Sequence, residues 1–189
     1  MKNYIILHGS FSGPKANWFP WLANEIEQTK PQNEDRVFCL VPQMPVGVGC
    51  QNYKNWEAVM LAYAKAGVLN LETTIFAHSI APAFVCKFLI THKIKVKRLV
   101  FVCGFNNYLG IDKNYDAVNE SMYIDDIERV KKYCTDIICL YSDNDPYVRF
   151  EKEREFADRV ADKRILIQNG GHLNSESGYT EFNKLKEFI

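Results

Sequence analysis

Six short apolar runs recur along the chain, and segments with helical spacing lie between them. The predicted strands are residues 4–7, 37–41, 73–77, 99–103, 137–141 and 164–167. These runs are rich in β-branched residues and nearly continuously apolar, which is typical of strands covered on both faces.

The segments between the strands show the periodicity of amphipathic helices. Apolar residues follow i, i+3, i+4, i+7 spacing from Trp56 to Ala64, and similar spacing from Ile80 to Phe88. A further helical face is formed by four residues of the C-terminal tail: Tyr179, Phe182, Leu185 and Ile189. Alternating strands and helices predict a three-layer α/β/α sandwich around a mostly parallel six-stranded sheet. With no repeat, low-complexity tract or linker, the chain is expected to form one domain, residues 1–189.

Two long connections interrupt this alternation. Residues 104–121 form an irregular stretch rich in Asn, Tyr and Asp, and residues 42–52 contain the run PVGVG. Connections of this length in a compact domain are more often functional than idle, so we expect both to shape a substrate site. The glycines of the second match neither a dinucleotide fingerprint nor a P-loop, which disfavours nucleotide binding.

Composition and charge argue against several classes of partner. Lys plus Arg and Asp plus Glu both total 23, and the resulting zero net charge disfavours nucleic acid. The apolar run before His8 is too short for a signal peptide, and no stretch approaches the roughly 18 to 20 residues that span a bilayer. The six cysteines include no CxxC pair, which favours free thiols in a reducing compartment. We therefore predict a cytoplasmic protein with no membrane or nucleic-acid partner.

Residues suited to acid–base and nucleophilic chemistry follow the ends of the predicted strands. In chain order they are His8, Ser10, Ser79, Asp143, Asp145 and His172. Open parallel sheets bind ligands outside the carboxyl ends of their strands, so these residues are expected at one edge. The order Ser, Asp, His is that of α/β-hydrolase triads.

Each member of the predicted triad has a chemical role. A serine hydroxyl is a weak nucleophile at neutral pH, so Ser79 needs an adjacent base to take its proton. His172 suits that role because an imidazole titrates near pH ~6.5. Asp145 is preferred over Asp143 as the carboxylate that fixes the tautomer of His172.

The remaining site residues are predicted from their place beside the triad. The tetrahedral oxyanion needs preset N–H donors, expected from Ile80 after the nucleophile and from Ser10, with Phe11 next. Four more residues are expected to line the substrate site: His8, His78, Cys103 and Phe105. Cys103 is taken as a neighbour and not as a nucleophile. We expect no metal and no organic cofactor.

Structural interpretations compete with each of these roles. A serine before a helix is more often an N-cap, and Asn-Asp-Pro around Asp145 is a turn former. His172 suits a Gly-Gly-His turn, His78 suits the variable position of the elbow, and His8 can satisfy backbone groups near the first strand. The conjunction of three signals at one sheet edge favours catalysis.

Four stretches resemble the small serine hydrolases of the retinoblastoma-binding-protein-nine and YdeN type. They are HGSFSGPKANWFPWL, AHSIA, YSDNDPYV and GGHLNSESGY, and the resemblance runs from His8 to Tyr179. It implies a compact α/β-hydrolase fold without a large cap domain, carboxylesterase-like activity, and a triad of Ser79, Asp145 and His172. Ala77 and Ala81 stand where such proteins commonly have glycine.

The sequence therefore predicts a hydrolase that cleaves a small ester, thioester or amide through an acyl-Ser79 intermediate. The expected partner is a small-molecule acyl substrate. Two alternatives stay open: a hydrolase-fold protein that acts mainly as a non-catalytic protein-interaction module, and an acyltransferase.

Overall fold

The sheet is parallel throughout the part of the chain that the computed structural model describes, residues 2–29 and 37–189. Its strands are β1 (Lys2–Leu7), β2 (Val37–Leu40), β3 (Thr73–His78), β4 (Arg98–Val102), β5 (Ile137–Ser142) and β6 (Lys163–Ile167). They lie in the order β2-β1-β3-β4-β5-β6. All five pairings are parallel, which confirms the mostly parallel six-stranded sheet.

Helices cover both faces of this sheet. They are α1 (Phe19–Gln28), α2 (Tyr53–Lys65), α3 (Ala81–His92), α4 (Lys113–Glu120) and α5 (Phe150–Val160), with 3₁₀ turns at Ile127–Lys132, Ser175–Ser177 and Asn183–Phe188. Along β1, Ile5 and Leu7 pack with α2, α3 and α5. Tyr4 and Ile6 face the opposite way, toward α1 and the C-terminal 3₁₀ turn. This alternation confirms the three-layer sandwich.

The two edge strands depart from the expectation of burial on both faces. Phe38 on β2 is 41% exposed and Leu166 on β6 is 42% exposed. An edge strand has a neighbour on one side only, so the covering helices protect it less than they protect β1, β3, β4 and β5.

The predicted irregular stretch 104–121 contains a helix, which corrects that expectation. Asp112 caps α4 by accepting hydrogen bonds from the amides of Asn114 and Tyr115. Asp116 anchors the preceding turn through the amides of Leu109 and Gly110. Polar residues fill most of α4, so the apolar pattern could not reveal it.

The C-terminal tail also differs, because Asn183–Phe188 is a 3₁₀ helix and not an α-helix. Phe182, Leu185 and Phe188 are buried at intervals of three residues, which matches the three-residue repeat of a 3₁₀ turn.

The expectation of free thiols is confirmed, since all six cysteines are unpaired with one another. Over the described ranges, every helix is too short or too polar to cross a membrane.

Phe84 provides a test of the core beneath the site. Its side chain is fully buried and contacts the Trp56 ring edge-on at 5.2 Å between centroids. We expect Phe84→Ala to lower the free energy of unfolding by about 3–5 kcal/mol, because truncation leaves a cavity in the core. Phe38→Ala, at the exposed edge, should change it by about 0.5 kcal/mol or less in the same urea titration. Equal losses in the two variants would contradict this packing.

Candidate active site

Ser79 occupies a strained turn between β3 and α3. Its φ is +64°, in the left-handed region that non-glycine residues rarely adopt. Its amide donates to Val102 O at 2.9 Å, so the turn begins while the chain is still bound to β4. The residue preceding α3 is Ile80, and no side chain caps the helix, which overturns the N-cap interpretation of Ser79. Ala77 and Ala81 are fully buried on either side of this turn.

The loop after β1 rests directly against Ser79. A Cβ added to Gly9 would lie 2.6 Å from Ser79 Cβ and 3.2 Å from Ser79 Oγ. Only glycine permits this approach, which explains the His-Gly pair at the end of β1. The close contact brings the neighbouring amides of this loop beside the serine hydroxyl.

His172 and Asp145 form a short buried hydrogen bond. His172 Nδ1 donates to Asp145 Oδ2 at 2.5 Å, and the carboxyl side chain is completely shielded from solvent. Asp145 Oδ1 accepts from the amides of Tyr147 and Val148 at 2.8 and 3.0 Å. Burial acts to raise the pKa of Asp145, but the hydrogen bond and charge of His172 together with these amides hold it below its usual value. With Nδ1–H directed at Asp145, His172 Nε2 keeps a lone pair free to accept a proton.

Three consecutive side chains at the end of β5 hold the loop that carries His172. Ser142 Oγ accepts a hydrogen bond from the Gly170 amide at 3.0 Å. Asp143 Oδ1 accepts from the Asn169 amide at 2.7 Å. Asn144 Oδ1 accepts from the Gly171 amide, also at 2.7 Å. Asp143 therefore organises the backbone, while Asp145 contacts the histidine. The sequence did not indicate the roles of Ser142 and Asn144.

The two other histidines at this edge are neutral and serve the backbone. His78 Nε2 donates to His172 O at 2.9 Å, and burial, followed by the charge of His172, lowers the pKa of His78 to about 3. His8 Nδ1 donates to Gly9 O at 2.8 Å, while His8 Nε2 accepts from the Met44 amide at 3.0 Å. Burial likewise lowers the pKa of His8.

A buried polar network fixes the loop after β1. Gln51 Nε2 donates to Ser10 Oγ at 2.9 Å and to Asn119 Oδ1 at 2.8 Å, and Ser10 Oγ donates to the same Asn119 oxygen at 2.7 Å. The Phe11 amide donates to Gln51 Oε1 at 3.3 Å. Within the described ranges, the amides of Ser10 and Ile80 donate no hydrogen bond to another protein group. The amides of Ser10 and Ile80 are therefore available as donors, whereas the Phe11 amide already has an acceptor.

A cavity of about 310 Å³ opens over Ser79. Its walls are formed by Gly9, Ser10, Phe11, Ser12, Asn17, His78, Ser79, Tyr115, Tyr147, His172, Asn174, Ser175 and Glu176. Of the four residues predicted to line the substrate site, His78 lies in the wall of this cavity, whereas His8, Cys103 and Phe105 lie outside it. All three are fully buried: His8 is bound to backbone groups, and Phe105 packs against Tyr123.

Two tyrosines in the cavity wall were missed by the sequence analysis. Tyr115 lies on α4 and faces Ser79 and Ser10, whose hydroxyls oppose the burial that raises the pKa of Tyr115. Tyr147 meets the His172 ring edge-on at 5.2 Å and donates to Glu176 Oε2 at 2.6 Å. Asp112, as a potential N-cap, was the one sequence signal for the helix that presents Tyr115.

Two overlapping side-chain clusters have the residue types that bind metals: one of His78, Cys103 and His172, and one of Cys103, Asp145, Glu153 and His172. Cys103, Asp145, Glu153 and His172 each place one such atom within 4.8 Å of the others. A zinc ion bound to both a nitrogen and an oxygen separates them by roughly 3.3 Å. His172 Nδ1 and Asp145 Oδ2 are only 2.5 Å apart, so these two atoms share a proton with no space for an ion between them.

The parallel sheet, the helices on both faces and a serine on a positive-φ turn after a central strand define an α/β-hydrolase. A family model described as serine hydrolase matches residues 4–189. The chain therefore belongs to the serine hydrolase family.

Individual relatives agree with this classification. The chain is 25% identical over 184 residues to serine hydrolase RBBP9 of Rattus norvegicus, covering 96% of this chain and 90% of that one. The ydeN gene product of B. subtilis superposes with a TM-score of 0.79 at 20% identity, covering 100% and 96% of the two chains. Est1E from Butyrivibrio proteoclasticus gives 0.70 at 15% identity, covering 99% and 86%. The two structural matches show the fold alone, and the predicted resemblance to hydrolases of the RBBP9 and YdeN type is confirmed.

Gly9 gives a test of the contact between the first loop and Ser79. We expect Gly9→Ala to slow labelling by a fluorophosphonate probe by on the order of 10²-fold, because the new methyl group displaces the loop amides from the serine. Gly13→Ala is the control, since its Cβ would meet only the movable end of the Gln43 side chain, at 3.0 Å. Labelling of Gly9→Ala at the rate of Gly13→Ala would contradict the close approach.

Proposed function

We propose that this serine hydrolase cleaves a small ester, thioester or amide through an acyl-Ser79 intermediate. The observation that carries the proposal is the 2.5 Å hydrogen bond from His172 to a buried Asp145, beside a serine with a φ of +64°. Family membership supports hydrolysis in general. The choice of bond, nucleophile and base is the proposal.

In the acylation step, Ser79 Oγ attacks the substrate carbonyl while His172 Nε2 takes the hydroxyl proton. Asp145 stabilises the resulting imidazolium through Nδ1–H. The oxyanion accepts hydrogen bonds from the amides of Ser10 and Ile80. His172 then returns the proton to the leaving group, and the bond between that group and the acyl carbon breaks.

Deacylation repeats these roles with water as the nucleophile. His172 removes a proton from water, hydroxide adds to the acyl carbon, and Ser79 leaves with the proton that His172 returns. Ser79 Oγ and His172 Nε2, which both belong to the described part of the chain, do not form a hydrogen bond with each other in this structure. In enzymes without substrate such contacts are often long, and they tighten when the Michaelis complex forms.

The cavity favours a small substrate. Its volume of about 310 Å³ is near the lower end of the range for small-molecule sites. Phe11 and Tyr115 form an aromatic wall with 6.1 Å between ring centroids, while Asn17, Asn174 and Ser175 provide polar groups. A short acyl group with a polar leaving group matches these walls better than a long aliphatic chain does.

The nucleophile is tested by Ser79→Ala. We expect this variant to lose fluorophosphonate labelling and to hydrolyse short-chain p-nitrophenyl esters at least about 10³-fold more slowly than wild type, because no other hydroxyl occupies its position. Ser12→Ala, in the same cavity wall, is the matched control and should retain labelling. Labelling that persists in Ser79→Ala would overturn the assignment.

The carboxylate is tested by comparing two asparagine variants. Asp145→Asn should lower kcat/KM by on the order of 10³- to 10⁴-fold, because an amide at this position favours the wrong tautomer of His172. Asp143→Asn keeps an oxygen that can accept from the Asn169 amide, so its loss should stay below about tenfold. Similar losses in the two variants, measured with one ester substrate, would show that Asp145 is not the partner of His172.

A further inference from the structure

A second carboxyl group lies behind the Asp145–His172 pair. Glu153 is in the first turns of α5 and is only 1% exposed. Its Oε2 accepts from the Ser142 amide at 3.0 Å, whereas Oε1 is buried with no hydrogen-bond partner among the described residues. Glu153 is absent from the wall of the substrate cavity, so any effect on the reaction must pass through its neighbours.

The groups that face Glu153 come from three strand ends and from β5. A Glu153 oxygen lies within 4.8 Å of an Asp145 oxygen, Cys103 Sγ and a His172 ring nitrogen. The charge of Glu153 would also act on Cys139 of β5, and burial raises the pKa of the Cys103 and Cys139 thiols, which keeps both uncharged. His172 is the basic group that contacts Asp145, and its hydrogen bond and charge both lower the pKa of that carboxyl.

Two adjacent carboxyl groups in such a dry environment do not both ionise. Asp145 receives three hydrogen bonds, from His172 Nδ1 and from the amides of Tyr147 and Val148. Glu153 receives one, from the Ser142 amide. The better-solvated group keeps the negative charge, so the proton resides on Glu153. Burial first, and then the charge of Asp145, raise the pKa of Glu153 to about 9.

We propose that Glu153 is a protonated carboxylic acid in the working enzyme and that its Oε1–H, directed at Asp145, positions that carboxylate for His172. Glu153 is thus a positioning residue. Its protonation follows from burial and from the neighbouring charge of Asp145, while its effect on catalysis rests on the proposed function. Ionisation of Glu153 places a second negative charge beside Asp145 and repels that carboxylate from its place.

The protonation state is tested by stability, without any catalytic assay. A carboxyl group whose pKa is raised from 4.5 to about 9 on folding stabilises the protein fully below about 4.5, and this contribution is lost as pH rises toward about 9. The folding equilibrium constant of wild type, divided by that of Glu153→Gln at the same pH, should fall about tenfold per pH unit across this window. Glu151→Gln, exposed two residues earlier, is the control and should follow wild type.

The positioning role is tested by pH–rate profiles of kcat. We expect wild type to lose activity as pH rises past about 9, where Glu153 ionises. Glu153→Gln should lack this alkaline limb because its amide donates without titrating. Glu153→Met, which has no donor, should lower kcat at least tenfold at every pH with little change in KM, and Glu153→Gln should restore most of that loss.

The outcomes separate the two proposals. Parallel stability curves for wild type, Glu153→Gln and Glu151→Gln would overturn the protonated Glu153, whatever the enzyme does. Divergent stability curves with identical pH–rate profiles for wild type and Glu153→Gln would overturn its positioning role. Labelling that persists in Ser79→Ala would instead remove the proposed function, and the stability comparison would still decide the state of Glu153.

Discussion

The buried hydrogen bond between His172 and Asp145 is the interaction on which the arrangement of this sheet edge depends. With water excluded, its strength is sensitive to the position of both partners, so each must be held from several directions. The amides of Tyr147 and Val148 orient the carboxylate, and the side chains at the end of β5 hold the loop that leads to the histidine. Trp18 adds support from α1, because its indole donates to Leu173 O at 3.0 Å. Trp18 is therefore a core residue that stabilises the loop, consistent with its complete burial.

Burial also determines which groups at this edge carry charge. His8 and His78 are kept neutral, so neither competes with His172 for the proton that the proposed reaction moves. The neutral state of His78 matters most, because its ring lies 4.6 Å from that of His172, and a charge there would oppose formation of the imidazolium. With Glu153 protonated as proposed, Asp145 is the one charged group of the buried cluster that Cys103, Asp145, Glu153 and His172 form before the reaction begins. In the proposed reaction, these low-dielectric surroundings favour a single ion pair, formed when His172 accepts the Ser79 proton.

The sequence was sufficient for the features that depend on strand periodicity and strand ends. Continuous apolar runs predicted all six strands, and the position of Ser79, Asp145 and His172 after three of them predicted their proximity. Ser79 and His172 line one cavity, and Asp145 contacts His172. It was insufficient where a residue acts through a distant partner, as in the contact of Gln51 with Asn119, which are 68 positions apart. The buried position of Glu153 was also hidden in the sequence, for a different reason. It lies at the start of the buried stripe Phe156, Ala157 and Val160, but the charged run around it resembles a solvated helix face.

Backbone strain in this protein is concentrated where the chemistry is proposed. Among the described residues, seven non-glycine positions have positive φ, and all but Lys93 lie at the carboxyl edge of the sheet: Phe11, Asn17, Ser79, Cys103, Asn169 and Leu173. Each left-handed residue destabilises the fold by roughly 1–2 kcal/mol, so their summed cost is comparable to the free energy of unfolding of an average domain. Such conformations persist only when their surroundings over-determine them. The hydrogen bonds from the end of β5 and the fully packed core below β3 supply that constraint. The alanines beside Ser79 are tolerated for the same reason, since the strain of the turn lies in the φ of the serine itself and is held by the Val102 contact and the helix that follows.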